Sequence, residues 1–327
     1  PTHRPPRSDT WVEGLNGDWL ISRQRFFGVP IPLCYALADH VEPRHDDPLL
    51  PNESQLPIDP STDVPAGYTE DQRDQPGGFV GDADIFDTWA TSSLTPEIAG
   101  GWEEDGDLFE HVFPMDMRPQ AHDIIRTWLF STITRSHHEF GCAPWTNTSL
   151  SGWILDPDRK KMSKSKGNVV TPMDLFETYG TDAVRYWAGS ARPGVDTAFS
   201  EDQMKVGRKL ANKLLNVTKF VLQFGAPTAD HSLDDGVTEA IDRSMLAKLD
   251  AVVIEATEAF EAFDYARALE RTEAFFWWFC DNYVELVKGR TYDESRPDAA
   301  DSSKRALRTA LSTVQRLFAP ILPFTSD

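Results

Sequence analysis

From residue 201 onward the apolar positions recur with the period of an α-helix. Residues 201–224 predict one long amphipathic helix. It sets Lys205, Lys209 and Lys213 at i, i+4 and i+8 on one face, with Arg208 and Asn212 beside them and Lys219 further along. After a polar stretch from Gly225 to Gly236, the same period predicts helices over 242–260, 264–288 and 302–318. The run Phe275-Phe276-Trp277-Trp278-Phe279 falls inside the second of these and reads as core, because only one or two of its rings need face outward. Upstream the periods shorten. Phe113–Met117 and Ser151–Leu155 read as strands, and Asp156-Pro157-Asp158 as a turn. Arg118–Phe130 starts a helix in which Ile124, Ile125, Trp128, Leu129 and Ile133 keep helical spacing. Pro172–Glu177 begins another with Thr171 as N-cap, and Gly180–Trp187 a third, capped by Thr181 or Asp182. Residues 17–25 predict a helix-like turn and 26–32 an extended segment bounded by proline. Residues 38–82, rich in Pro, Asp and Gly, read as a long surface insertion. The expectation is an α/β part followed by an all-α part.

Composition changes this picture in one respect. The 327 residues suffice for two or three domains. No apolar run approaches the ~20 residues that cross a bilayer, so a soluble protein with no membrane partner is expected. Cys34, Cys142 and Cys280 are scattered without a C-x-x-C pair, which argues against a disulfide framework and points to the cytosol. Cys34 with His40 and His45 is too poor a set for tetrahedral zinc, and no metal site is expected. The net charge is −20, from 52 acidic against 32 basic side chains. The acid is mostly aspartate, 33 Asp to 19 Glu, as on the surface of a salt-adapted (halophilic) protein. Eight of the 11 lysines nevertheless fall between Lys160 and Lys219, one basic zone on an acidic chain.

The densest part of that zone is Lys160-Lys161-Met162-Ser163-Lys164-Ser165-Lys166-Gly167-Asn168. A loop rich in ammonium groups at the carboxyl end of a strand is where an α/β fold places groups that handle phosphates. Gly167 frees the backbone to turn, and Asn168 tolerates unusual dihedrals and can bond locally. The ordered string resembles the signature loop of the class I aminoacyl-tRNA synthetases, which closes over ATP while an amino acid is adenylated. The resemblance implies a catalytic set of Lys161, Ser163, Lys164 and Ser165. The two lysines would meet charge on the departing pyrophosphate, and the two serines would shape the loop. It also implies ATP with Mg²⁺, and it places Gly152, Trp153, Ile154 and Leu155 where the backbone meets adenine.

Other segments resemble the branch of that family that handles branched aliphatic amino acids. They are Trp19–Arg25, Gly28–Pro32 and Asp84-Ile85-Phe86-Asp87-Thr88-Trp89. A pocket for such a side chain needs rigid apolar walls, because hydrophobic contact is all that tells one from another. Trp89 and Trp128 match the two pocket tryptophans. Ile124, one turn before Trp128, matches the members specific for valine, where the isoleucine members carry a polar residue. Pro119–Trp128 is most similar to the archaeal type of those valine members. Asp123 matches the acid of the family's G-x-D element, suited to ribose hydroxyls or an ammonium, although Ala121 replaces the usual glycine. Lys205, Arg208, Lys209 and Lys213 fall in the stem-contact region and are implied to meet tRNA.

The resemblance thus implies three parts. Residues 1–170 are the carboxyl half of a Rossmann-like catalytic domain, with the insertion at 38–82 and the signature loop at 156–170. Residues 171–224 are stem-contact helices, and 237–327 are a truncated anticodon-binding helical bundle. Valine, ATP and tRNA(Val) are the implied partners of a monomer. The family's His-x-Gly-His signature is absent from these residues. It is expected upstream of Pro1, so the chain by itself is expected to be inactive. Isoleucine specificity, a non-catalytic tRNA-binding role and a small nucleotidyltransferase remain as alternatives. The acidic composition makes one expectation measurable. The melting temperature should rise from low to molar salt, and greatest stability in low salt would overturn the salt-adapted reading.

Overall fold

The computed structural model describes residues 13–15, 18–38, 42–163, 165, 167–225 and 236–327. The described residues of 2–118 with 123–148 form one compact unit, and 119–122 with 149–327 form another.

The first unit begins with five short strands: β1 (Ser22–Arg23), β2 (Cys34–Leu37), β3 (Pro43–Leu49), β4 (Phe79–Gly81) and β5 (Ile85–Phe86). β1 pairs antiparallel with β5, so the segment read as a helix-like turn is extended where it can share backbone bonds. β2 lies between β3 and β4 in an antiparallel sheet. Within the expected insertion, β3 and β4 therefore pair with β2, and the segment is not irregular throughout. The sequence hid this because β3, Pro-Arg-His-Asp-Asp-Pro-Leu, is an edge strand, and charge and proline at an edge block further pairing. Phe79 is fully buried, with Tyr68 edge-on at 5.4 Å and the Arg73 guanidinium 4.9 Å from its centroid. Three short helices follow: α1 (Thr88–Ser92), α2 (Thr95–Gly100) and α3 (Gly106–Val112). Asp87 caps α1 by accepting the Trp89 N–H at 2.8 Å, and it pairs with Arg23 at 2.6 Å.

β6 (Met115–Ala121) pairs with β7 (Trp145–Ser151). Residues 118–121, expected to open a helix, instead continue the strand, with Arg118 and Gln120 buried alternately on one side. Pro119 holds its predecessor in extended backbone, which is the local cause. Helical structure resumes with a 3₁₀ turn at His122–Ile124, then a π-turn at Ile125–Leu129 that runs into α4 (Phe130–Phe140). The expected strand 151–155 is also broken: Gly152 and Trp153 separate β7 from β8 (Ile154–Leu155). A Cβ on Gly152 would lie 2.2 Å from the Val195 carbonyl, so only glycine lets the chain pass here.

In the second unit β8 runs parallel to β9 (Thr197–Ala198). The remaining elements are α5 (Met173–Tyr179), α6 (Thr181–Gly189), α7 (Glu201–Leu222), α8 (Ala240–Glu261), α9 (Tyr265–Trp278), α10 (Val284–Lys288), α11 (Pro297–Phe318) and α12 (Pro323–Ser326). A π-turn, Phe279–Tyr283, joins α9 to α10, so the predicted helix 264–288 is one rod with a bulge. α11 starts five residues before the predicted Ser302, with Pro297 in its first turn where a missing N–H costs nothing. Neither Thr171 nor Thr181 caps its helix. The cap positions are Pro172 and Gly180. Asp182 instead accepts the Thr325 N–H at 2.7 Å and the Phe324 N–H at 3.4 Å, anchoring α12. Phe275, Phe276 and Phe279 are buried in the core with Leu210, Leu214, Met245, Leu307 and Phe318, as expected for the aromatic run.

One polar group is built into that core. Asp242 is wholly buried and accepts from the Tyr283 hydroxyl at 2.8 Å, the Ser302 hydroxyl at 2.7 Å and Arg290. Burial first, then the Asp242 charge and bond, push the Tyr283 phenol up. Removing one partner of such a cluster strands the others, at a cost of about 3–5 kcal/mol. Asp242→Ala should therefore lower unfolding free energy by about 3–5 kcal/mol in a urea titration. A loss under about 1 kcal/mol would mean that water replaces the carboxylate.

Candidate active site

The signature loop is organised by Asp156, which the sequence reading took only as part of a turn. Its carboxylate accepts the Lys160 N–H at 2.7 Å and the Asn168 side-chain N–H at 2.8 Å. Asn168 in turn accepts the Ser163 N–H at 3.0 Å. The two ends of the loop are thus tied through one buried carboxylate. The Lys160 N–H first, then Asn168, hold the Asp156 carboxyl below the ordinary carboxylate range. The latch is complete at neutral pH and is lost only as pH falls through that lowered value. Ser163 and Ser165 hydroxyls lie 3.2 Å apart, and Gly167 turns at φ 66°. Lys164 lies outside the described residues.

Lys161 bridges to Leu155 on β8, and its ammonium sits 4.1 Å from the Trp153 ring centroid. The Trp153 backbone N–H donates to the Asp196 carboxylate at 2.8 Å, and its ring lies 4.7 Å from the His122 ring. The Ile154 side chain, on the same strand as Leu155, is exposed. An ammonium ion and a serine pair on one loop, next to a strand with an exposed side chain, can meet a polyphosphate and a flat base.

In the other unit the structure brings together the helix that carries Trp89 and the turn that carries Ile124 and Trp128. The Trp128 indole N–H donates to the Ser92 carbonyl at the end of α1 at 2.9 Å. Ile125 and Leu129 are buried on the core side of the π-turn, while Ile124 and Trp128 stay half-buried on another. Ser131 and Thr132 hydroxyls donate to the Thr127 and Trp128 carbonyls, both at 2.6 Å, which suits the widened turn. Asp123 is exposed at its start.

The basic face of α7 lies opposite its buried stripe of Met204, Gly207, Leu210, Leu214, Val217 and Val221. Lys205 pairs with Asp202 at 2.9 Å, and Arg208 donates to the Thr178 carbonyl at 2.8 Å. Lys209 lies 5.5 Å from the Trp277 ring centroid, and Lys213 is 3.3 Å from Asp281. Together with Asn212, they line an open groove.

Residues 1–200 match the family of tRNA synthetases class I (I, L, M and V), and residues 242–327 match the anticodon-binding domain of tRNA ligase. The chain belongs to the class I tRNA synthetases. It is 64% identical to the valine–tRNA ligase of Salinispora tropica and 63% identical to that of Thermobifida fusca. Both matches take in 100% of this chain but only 38% and 37% of the relatives, so it spans little more than a third of their length. In fold it is similar to the LeuRS of Agrobacterium radiobacter K84, seen in a ternary complex with tRNA and LeuAMS. That match has a TM-score of 0.72 and 21% identity over 95% of this chain and 41% of the other. It is also similar to Mycobacterium tuberculosis methionyl-tRNA synthetase in complex with methionyl-adenylate, at a TM-score of 0.67 and 20% identity, over 98% and 56% of the two chains.

In this synthetase chain three contributors escaped the sequence reading. Asp156 looked like a turn residue, Trp277 like core, and Arg118 like the start of a helix. Only Asp156 carried a readable signal, since aspartate before a proline commonly bonds to backbone beyond its turn. Asp156→Ala should loosen the loop without unfolding the chain. Amide exchange across 158–168 should speed up about tenfold or more, as expected when about 1.4 kcal/mol of local bonding is lost. Unchanged exchange there would show that Asp156 does not hold the loop.

Proposed function

We propose that the protein carrying this chain is a valine–tRNA ligase: it activates valine with ATP to valyl-adenylate and passes the valyl group to tRNA(Val). The observation that carries the reading is Ile124 and Trp128 sharing one turn, with Trp128 bonded to the helix that bears Trp89. The high identity to valine–tRNA ligases supports it. Apolar walls accept a branched side chain, and tryptophan rings hold their shape better than flexible aliphatic chains.

The valine carboxylate attacks the α-phosphate of ATP, and negative charge accumulates on the departing pyrophosphate. Lys161 and Lys164 stabilise that charge more in the transition state than in the ground state, which is what lowers the barrier. Ser163 and Ser165 shape the loop that delivers them. The backbone of Trp153, Ile154 and Leu155 receives adenine, and Asp123 binds a ribose hydroxyl or the valine ammonium. Mg²⁺ enters with the nucleotide as part of the substrate. Lys205, Arg208, Lys209 and Lys213 bind the tRNA backbone, exchanging their present partners for phosphates. The protein works as a cytoplasmic monomer. Among the described residues no helix is long and apolar enough to cross a membrane.

The test is ATP–pyrophosphate exchange by the complete protein. Valine should be the preferred substrate over isoleucine. Lys161→Ala should lower kcat about 10²- to 10³-fold, the size seen when one charge-stabilising donor is removed. Preference for isoleucine, or exchange untouched by the loss of Lys161, would each sink the reading.

A further inference from the structure

Arg118 is a cation in the wrong place. It lies on β6 and is only 7% exposed. A buried charge is normally paired or bonded. Among the described residues Arg118 forms no ion pair, and its Nε and Nη2 find no acceptor. Burial alone lowers its pKa, to about 10, so it stays protonated at neutral pH.

What it meets instead is aromatic. The guanidinium carbon lies 2.9 Å from the Trp128 ring centroid and 5.0 Å from that of Trp145. A guanidinium is flat and weakly hydrated, and it is attracted to the negative face of an indole, most strongly where water is excluded. Trp128 is thereby constrained twice. Its N–H is bonded to the Ser92 carbonyl at 2.9 Å, and one face lies on Arg118. The edge bond alone would let the ring rock about it, and the stacked cation removes that freedom. Trp128 nonetheless stays half-buried, so part of its surface is reachable.

We propose that Arg118 is a positioning residue for the amino-acid pocket, fixing the plane of Trp128 and so the tightness with which the pocket separates valine from the larger isoleucine. The inference rests on the proposed valine–tRNA ligase reading, in which Trp128 is a pocket wall. A wall that rocks by a fraction of an ångström admits the extra methylene. Discrimination of one methylene in such pockets is only about 10- to 200-fold, so a small loosening removes much of it; the isoleucyl enzyme is the stock example of that range.

The experiment is ATP–pyrophosphate exchange by the complete protein, with valine and isoleucine, for wild type, Arg118→Met, Trp128→Phe and the double variant. Methionine keeps most of the volume but cannot stack as a flat cation. Arg118→Met should raise the valine KM about tenfold, leave kcat within about threefold, and cut the valine-to-isoleucine ratio of kcat/KM about tenfold. Because Arg118 acts through Trp128, adding Arg118→Met to Trp128→Phe should change little further. If Arg118→Met does not accumulate folded, Arg118→Lys is read the same way, since an ammonium has no flat face to offer. A wild-type protein inactive with valine overturns the parent reading and this one with it. An active wild type whose variant keeps its KM and its ratio overturns the role of Arg118 alone, as do fully additive effects in the double variant.

Discussion

The second unit depends on how α7 divides its surface. One stripe, Met204, Leu210, Leu214, Val217 and Val221, is buried against α6 and the helices that follow. Gly207 lies in the same stripe, where a Cβ would come within 2.8 Å of Tyr186 ring atoms, so α6 and α7 approach at the closest distance backbone allows. Burying that stripe leaves Lys205, Arg208, Lys209 and Lys213 no choice but the opposite face. The same amphipathic period that builds the core therefore sorts the cations onto one surface. In a chain with a net charge of −20, this sorting and not the total decides where a polyanion can bind.

Aspartate is used in two ways that a charge count does not separate. Most of the acid is solvated, but Asp87, Asp156, Asp182 and Asp242 are buried, and each receives hydrogen bonds from more than one group or an ion pair. Asp87 starts the helix that carries Trp89, Asp156 closes the signature loop, and Asp182 anchors α12. Asp242 joins Tyr283, Arg290 and Ser302 inside the bundle. A short carboxylate reaches backbone N–H groups within its own turn, which glutamate does less well. The residue type that sets the overall charge is thus also the fastening at α1, the signature loop and α12.

Much of the helical half was legible. The periods over 201–224 and the three later helices follow from spacing, and of the aromatic run Phe275, Phe276 and Phe279 are core because they fall on the inner side, while Trp277 and Trp278 stay half-buried. The strands were less legible. β1, β5, β8 and β9 have two residues each, too few for alternation to register, and exist only because distant partners supply their bonds. β3 is polar because it is an edge. Residues 118–121 looked helical because the apolar spacing downstream extends back to them, and Pro119 overrides it. In the candidate site the residue types were readable, because a lysine-rich loop and the tryptophans with Ile124 stand out by type and order along the chain. Trp277 and Arg118 were not, because each acts through a neighbour remote in sequence, and of Asp156 only the bond to nearby backbone was readable, not the one to Asn168.

The sequence by itself determined the family, the basic zone and the helical tail, and it nominated Trp89, Ile124, Trp128 and Lys161 as candidate site residues. Those depend on residue type and local period, which are properties of neighbours along the chain. Only the tertiary structure decided that Trp128 is bonded to Ser92 and stacked on Arg118, and that one buried aspartate ties both ends of the loop. It also decided that Lys209 lies near Trp277 and Lys213 near Asp281. The reason is physical: hydrogen bonds and stacking act over a few ångströms, and what lies within that range depends on how separated segments pack.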